Sequence, residues 1–280
     1  PTLACPVSKS KLSMQSTLIG GEMRRALVSE DNTRYPIPDD VYFDLCRRAG
    51  TIDLLSLRDE VFSVFSMQTG IFRTPVMAFL YERGWRQNFD AMGFPGIDKE
   101  FAEVQDFFAP AAGDGGTVAD ISCGTGLMTR RLVASGRYAR VLALDYSESM
   151  LRETSRRFAD EGIDSDPLVL VRADAAELPL RTGSVDAIHA GAALHCWPRL
   201  ELSLAEVRRA LKPDGRFYAS TFFENAMSSA TAPSSSGSGA MRFFKDEAEL
   251  RALLVGAGFQ DDRIDVRREG AACAIIRAEA

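Results

Sequence analysis

The sequence predicts an α/β fold: a Rossmann-like, seven-stranded, mostly parallel sheet with helices on both faces, closed by a C-terminal antiparallel strand pair. Three observations carry this. From about residue 115 onward, short apolar runs alternate with stretches of helical periodicity; the first run leads into Gly124-Thr125-Gly126; and the first three runs each end at or near an aspartate, namely Asp120, Asp145 and Asp174. Strand–helix alternation means parallel strands, because a parallel crossover needs a helix-length connection.

In order, the first strand covers 117–121, and its helix stops near Gly136. The second strand, 141–145, precedes a helix over 147–160. Strands over 168–171 and 185–189 follow, then a helix face marked by Leu200, Leu204, Val207 and Leu211. Lys212-Pro213-Asp214-Gly215 reads as a turn into a fifth strand over 216–222. The stretch 228–240, SSATAPSSSGSGA, is a flexible loop by composition, with a flap over the sheet's carboxyl edge as the functional alternative. A helix at 245–256 and strands near 263–268 and 271–277 complete the domain.

Two further regions precede this domain, which we place at 111–280. Residues 1–50 carry turn formers and little helix signal: Ile19-Gly20-Gly21-Glu22 predicts a hairpin turn, and the prolines of Arg34-Tyr35-Pro36-Ile37-Pro38 enforce extended backbone. They predict a small β-rich appendage. Residues 51–110 read as helical; Phe101, Val104 and Phe108 repeat at helical spacing behind Asp98, a candidate N-cap. Within it, Tyr81, Arg83 and Trp85 are candidate walls of a substrate pocket under a helical lid.

The totals bound the function. Net charge is -6 over 280 residues, which argues against a nucleic-acid partner. Five scattered cysteines without a CxxC pair read as reduced thiols. No apolar run reaches the roughly 18 residues of a membrane-spanning helix. The chain opens on Pro1 without a signal-peptide pattern, which we read as a trimmed form.

Chemistry concentrates at the strand ends. Glycines at 124 and 126 let backbone approach a ligand just before a helix N-terminus. Asp145 lies 21 residues after Gly124, where a carboxylate can accept both hydroxyls of a ribose. Asp174 after the third strand can accept from an adenine amino group, with the next backbone N–H for a ring nitrogen. Any one of these acids alone reads as a helix cap; the ordered trio points to an adenosyl ligand. A nicotinamide dinucleotide fits less well. Its fingerprint wants a third small residue where Thr129 stands, and the closing strand pair is foreign to that fold.

From about residue 98 to 222, through VADISCGTG, ALDYSESML, VRADAAELPL, VDAIHAGAALHCW and LKPDGRFYASTFF, the chain resembles a class I S-adenosylmethionine-dependent methyltransferase of the type 11 group. That group includes the ubiquinone and menaquinone C-methyltransferases. LYERGWRQNFDAMGFPG together with HAGAALHCWP resembles a narrower set, the uncharacterised plant and algal chloroplast methyltransferases.

The resemblance implies S-adenosylmethionine as cofactor and S-adenosylhomocysteine as product. Asp120, Ser122, Cys123, Gly124 and Gly126 would form the turn around the methionine end, with Ser122 standing where glycine is commoner. Asp145 would take the ribose, with Tyr146 beside it; Met150 would pack on adenine; Asp174 and Ala175 would address its edge. His195 would lie near the transferring methyl and is the candidate catalytic base, with Trp197 a further pocket wall; His189, inside the fourth strand, reads as structural. Cys123 and Cys196 have no basic partner and read as loop packing. Cys5-Pro6-Val7-Ser8 and Tyr35-Pro36-Ile37-Pro38 resemble the two ends of a zinc ribbon, but with Ser8 in a cysteine position the ligand set is incomplete, so we expect the ribbon shape without metal.

The resulting expectation is methyl transfer to carbon or oxygen of a small, partly apolar acceptor in the chloroplast. The alternatives are a catalytically silent adenosyl-binding protein peripherally associated with plastid lipid bodies, a nicotinamide-dependent oxidoreductase, and a protein or RNA methyltransferase. The last is disfavoured by the acidic balance and by the lack of an Asn/Asp-Pro-Pro-Tyr motif after the fourth strand.

Overall fold

The computed structural model describes residues 2–19, 22–37, 41–46, 93–224 and 241–280. The expected turn at Gly20-Gly21, the loop 228–240, and residues 51–92 with Tyr81, Arg83 and Trp85 lie outside the described residues.

The N-terminal region forms β1 (Leu12–Ile19), β2 (Glu22–Ser29) and β3 (Arg34–Pro36), an antiparallel sheet in the order β1-β2-β3. Ile19 pairs with Glu22 at one end of the antiparallel β1–β2 ladder. This small sheet is docked on the main domain. Ala4 N–H donates to the Pro179 carbonyl at 2.9 Å, and Lys9 Nζ donates to the Leu178 carbonyl at 3.0 Å and to Glu206 Oε2 at 2.6 Å. Cys5 Sγ lies 3.1 Å from the Tyr35 hydroxyl, so the two motif ends meet.

The main sheet contains β4 (Phe43–Asp44), β5 (Thr117–Ile121), β6 (Arg140–Asp145), β7 (Leu168–Arg172), β8 (Val185–Ala190), β9 (Leu211–Phe222), β10 (Ile264–Glu269) and β11 (Cys273–Glu279). Their order is β10-β11-β9-β8-β5-β6-β7-β4. Strands β9 through β4 in that order are parallel, while β11 runs antiparallel to both neighbours, β9 and β10. Seven of these strands match the expectation. The eighth, β4, comes from the N-terminal region and adds to the edge at β7, pairing Phe43 with Val171 and Asp44 with Arg172. A two-residue strand has no periodicity to read, so only docking reveals it.

Helices α1 (Ile97–Ala112), α2 (Leu127–Ala134), α3 (Glu148–Asp160), α4 (Leu200–Ala210) and α5 (Glu247–Gly256) cover the sheet. Alternation along each strand sorts the core into two layers. Val118, Val141, Ala187, Tyr218 and Ile275 pack with Val104 and Phe108 of α1 and Leu132 of α2. Ala119, Leu142, Ile188, Phe217 and Ile276 pack with Leu204 of α4, Leu250 of α5, and Leu12 and Leu27 of the small sheet.

Two local expectations need correction. Asp98 does not cap α1: Gly96 occupies that position, and Asp98, inside the first turn, instead pairs with Arg131 of α2 at 2.8 Å. Lys212–Gly215 is not a turn ahead of a strand but a bulge within β9, whose register jumps from Val185–Leu211 to Ala187–Arg216.

Candidate active site

The sheet reverses its winding between β5 and β8, and in open α/β sheets ligands bind beyond the strand ends at such a point. A cavity lies there, lined by Phe94, Pro95, Glu100, Asp120, Ser122, Cys123, Thr125, Leu127, Met128, His189, Gly191, Ala192 and Ser220.

The turn from β5 into α2 is held from two sides. Gly124 (φ +57°) donates its N–H to Asp145 Oδ2 at 2.9 Å, and its carbonyl accepts from Thr154 Oγ1 at 3.0 Å. Gly126 has φ +77°, and a Cβ there would sit 2.4 Å from Thr154 Cγ2 of α3. Only glycine fits a left-handed backbone pressed against a crossing helix. Ser122 is also left-handed (φ +59°), and its hydroxyl accepts from Trp197 Nε1 at 2.9 Å. Trp197 is therefore a clamp between the loops after β5 and β8, and it does not line the cavity.

Asp145 ends β6, half-buried, with its oxygens accepting from Gly124 and from Ser147 N–H at 2.7 Å. A carboxylate offers about four lone-pair sites, so acceptor capacity remains beside those bonds. Burial pushes its pKa up to about 6 against the opposing effect of those backbone donors. Tyr146 follows, exposed, its ring under the Arg172 guanidinium at 5.4 Å; Arg172 also pairs with Asp44 of β4 at 3.2 Å. Met150 is buried at the start of α3. Asp174 caps a short 3-10 turn, accepting from Ala176 N–H at 2.8 Å, and pairs with Arg199 at 2.8 Å; Ala175 is half-buried beside it.

The two histidines differ sharply. Burial drives the His195 pKa down to about 4, so the ring is neutral near pH 7. It packs edge-on to Phe222 at 4.8 Å, with Nδ1 3.4 Å from Thr221 Oγ1, and does not line the cavity. His189 does line it. Burial alone would lower its pKa, but Asp120 (2.8 Å from Nδ1) and Glu100 (3.4 Å from Nε2) outweigh that and raise it to about 9. Cys123 and Cys196 are both pushed up, Cys123 well above its ordinary value and Cys196 to about 12, by burial first and by nearby carboxylates second. Neither is an activated nucleophile.

Glu100, Thr129 and Ser220 were not singled out from sequence as site residues. Glu100 left a readable signal: with Val104, Phe108 and Ala112 it forms the buried stripe of α1, the one carboxylate at a position the periodicity reserves for the core. Thr129, noted for excluding a dinucleotide, is fully buried and donates to Asp120 Oδ2 at 2.5 Å. Ser220 donates to Glu100 at 3.3 Å, a contact that only β9's position beside β8 creates.

A mostly parallel sheet with the last strand inserted antiparallel, and acids at three successive strand ends around a Gly-x-Gly turn, defines the Rossmann-like methyltransferase fold. Residues 119–219 match the model of the methyltransferase domain family. It is similar to two uncharacterised chloroplastic methyltransferases of Arabidopsis thaliana, one 45% identical over 65% of this chain and 50% of the relative, the other 50% identical over 56% and 44%. A ubiquinone/menaquinone biosynthesis C-methyltransferase of Brucella anthropi is 39% identical over 42% of this chain and 45% of its own. The chain thus spans about half the length of the curated relatives it matches. In fold it resembles Haemonchus contortus phosphoethanolamine N-methyltransferase 2 in complex with S-adenosyl-L-methionine, at a TM-score of 0.57 and 20% identity, over 84% of this chain and 48% of that one.

Proposed function

We propose that the protein transfers the methyl group of S-adenosylmethionine to carbon or oxygen of a small, partly apolar acceptor. The observation that carries this is Asp145: a half-buried carboxylate at the end of β6, hydrogen-bonded to Gly124 of the Gly-x-Gly turn and keeping acceptor capacity for a ribose. The donor set fits the cofactor. Glycine at 124 and 126 keeps the turn free of side chains, and Asp120 and Glu100, with His189 between them, leave the adjoining cavity lined by more acidic than basic groups.

When bound, the cofactor supplies a methyl already activated by its sulfonium, so the protein's task is alignment. Asp145 would hold the ribose, Tyr146 and Met150 would flank the adenine, and Ala175 with Asp174 would border its edge. Asp174 stays anchored by Arg199 and acts through the local backbone it shapes. Phe94, Pro95, Leu127 and Met128 exclude water and provide an apolar seat for the acceptor. The similarity to a quinone C-methyltransferase and to chloroplastic proteins supports a plastid acceptor such as a quinone, and a plastid location. His195 is our candidate base for an acceptor that must lose a proton. Burial holds its pKa near 4, so the ring is neutral near pH 7.

Calorimetric titration with S-adenosylmethionine and S-adenosylhomocysteine tests the reading. Micromolar binding is expected, lost in Asp145→Ala and weakening below about pH 6 as the Asp145 carboxylate is protonated. No binding to either ligand by the folded protein rejects it. Binding without turnover over a broad panel of quinones and phenols would instead favour an adenosyl-binding protein without catalysis, for which association with plastid lipid bodies is the companion proposal.

A further inference from the structure

We propose that His189 is a positioning residue for the transfer site: it holds Asp120 through one ring nitrogen and Glu100 through the other, tying the cofactor turn after β5 to helix α1 across the cavity. This rests on the methyltransferase reading above.

The geometry is specific. Asp120 and His189 are direct partners in the parallel register of β5 and β8, so both side chains leave the sheet on the same face. His189 Nδ1 lies 2.8 Å from Asp120 Oδ1 and Nε2 lies 3.4 Å from Glu100 Oε1. All three side chains are buried, and all three line the cavity. The row continues at both ends: Thr129 of α2 donates to Asp120, and Ser220 of β9 donates to Glu100 while accepting from Ala192 N–H at 2.8 Å. Gly191 leaves the room for it, since a Cβ there would lie 2.8 Å from His189 Cε1 and 3.2 Å from Glu100 Oε1.

Carboxylates accept only, so an imidazole between two of them satisfies both when both its nitrogens carry hydrogen. The charged and titratable groups facing the ring are Asp120 from β5, Glu100 from α1 and Tyr218 from β9, whose ring stacks at 6.0 Å and whose hydroxyl is engaged by Glu103. Asp120 and Glu100 both favour the imidazolium, consistent with the raised pKa. Two buried carboxylates facing each other without that cation would repel, moving the turn and α1 apart.

The full chain contains two histidines, so ring-nitrogen NMR resolves each, with His195→Gln providing the assignment. At pH 7.5 we expect His189 protonated on both nitrogens and His195 neutral. Calorimetry with S-adenosylhomocysteine reads the consequence: His189→Gln weakens binding by about tenfold or more. The double variant His189→Gln/Glu100→Gln recovers part of that loss, because the repulsion left behind is removed. Loss of packing alone would give no such recovery. A neutral His189 in the wild type, or a folded His189→Gln binding within about twofold of wild type, overturns the proposal while leaving the methyltransferase reading intact. If His189→Gln does not fold, the wild-type spectrum decides. If wild type binds no S-adenosylhomocysteine at all, that reading fails and takes this role with it.

Discussion

Ser122 shows how one residue can depart from a motif at little cost. A left-handed backbone costs a non-glycine residue roughly 1–2 kcal/mol, which is why glycine is commoner there. Here the serine hydroxyl accepts the Trp197 indole N–H at 2.9 Å, and Trp197 is buried, so the bond has no ready substitute from water. Ser122→Ala keeps the strain and strands the donor, for an expected loss of about 1–3 kcal/mol. Ser122→Gly strands the donor but relieves the backbone, so it should cost less. Urea unfolding should therefore rank wild type above Ser122→Gly and Ser122→Ala last; an alanine variant equal to wild type would show that the bond contributes nothing. The serine itself was plain in the sequence. Its partner, 75 positions away, was not.

At the scale of elements, the turn between β5 and α2 works because α3 packs directly beneath it. Thr154 bonds the Gly124 carbonyl and fills the space that a side chain at 126 would need. Gly126→Ala should lose about 2–4 kcal/mol, from overpacking plus a positive φ. Thr154→Ser removes the clashing methyl and keeps the hydroxyl, so adding it to Gly126→Ala should restore part of the stability in a denaturant titration. Strictly additive losses would mean the contact is not the cause. The strands and helices around this turn were legible from period and punctuation. The exceptions follow from what period cannot report: β4 is too short to carry one, the β9 bulge is a matter of register with β8, and the α1 cap is Gly96, which has no side chain to announce it.

For the whole molecule, the two histidines set opposite ends of the stability profile. His189 is raised from an ordinary 6.5 to about 9, so its contribution is full below about pH 6.5 and is lost as pH rises toward 9. His195 is depressed to about 4, so it disfavours the fold increasingly as pH falls from 6.5 to 4. Asp145, raised to about 6, acts in the opposite sense to His195 over the acid window, because protonating it relieves a buried charge. Melting temperature should therefore decline between pH 6.5 and 9. That decline should flatten in His189→Gln, while an unchanged alkaline slope in the variant would remove His189 as its source.

Sequence alone determined the alternating fold, the closing strand pair, the glycine turn and the three strand-end acids, because each is a local pattern: hydrophobic period, turn chemistry, and residue type at a predictable place. It did not determine what those acids touch. Asp145 bonds the glycine turn, Asp174 is held by Arg199, and Asp120 by Thr129 and His189. His189 reads as an ordinary strand residue until β5 and β8 lie in register and α1 lowers Glu100 onto them. The charge of a buried group depends on neighbours brought together across 69 and 89 positions of chain, and only the tertiary structure supplies those neighbours.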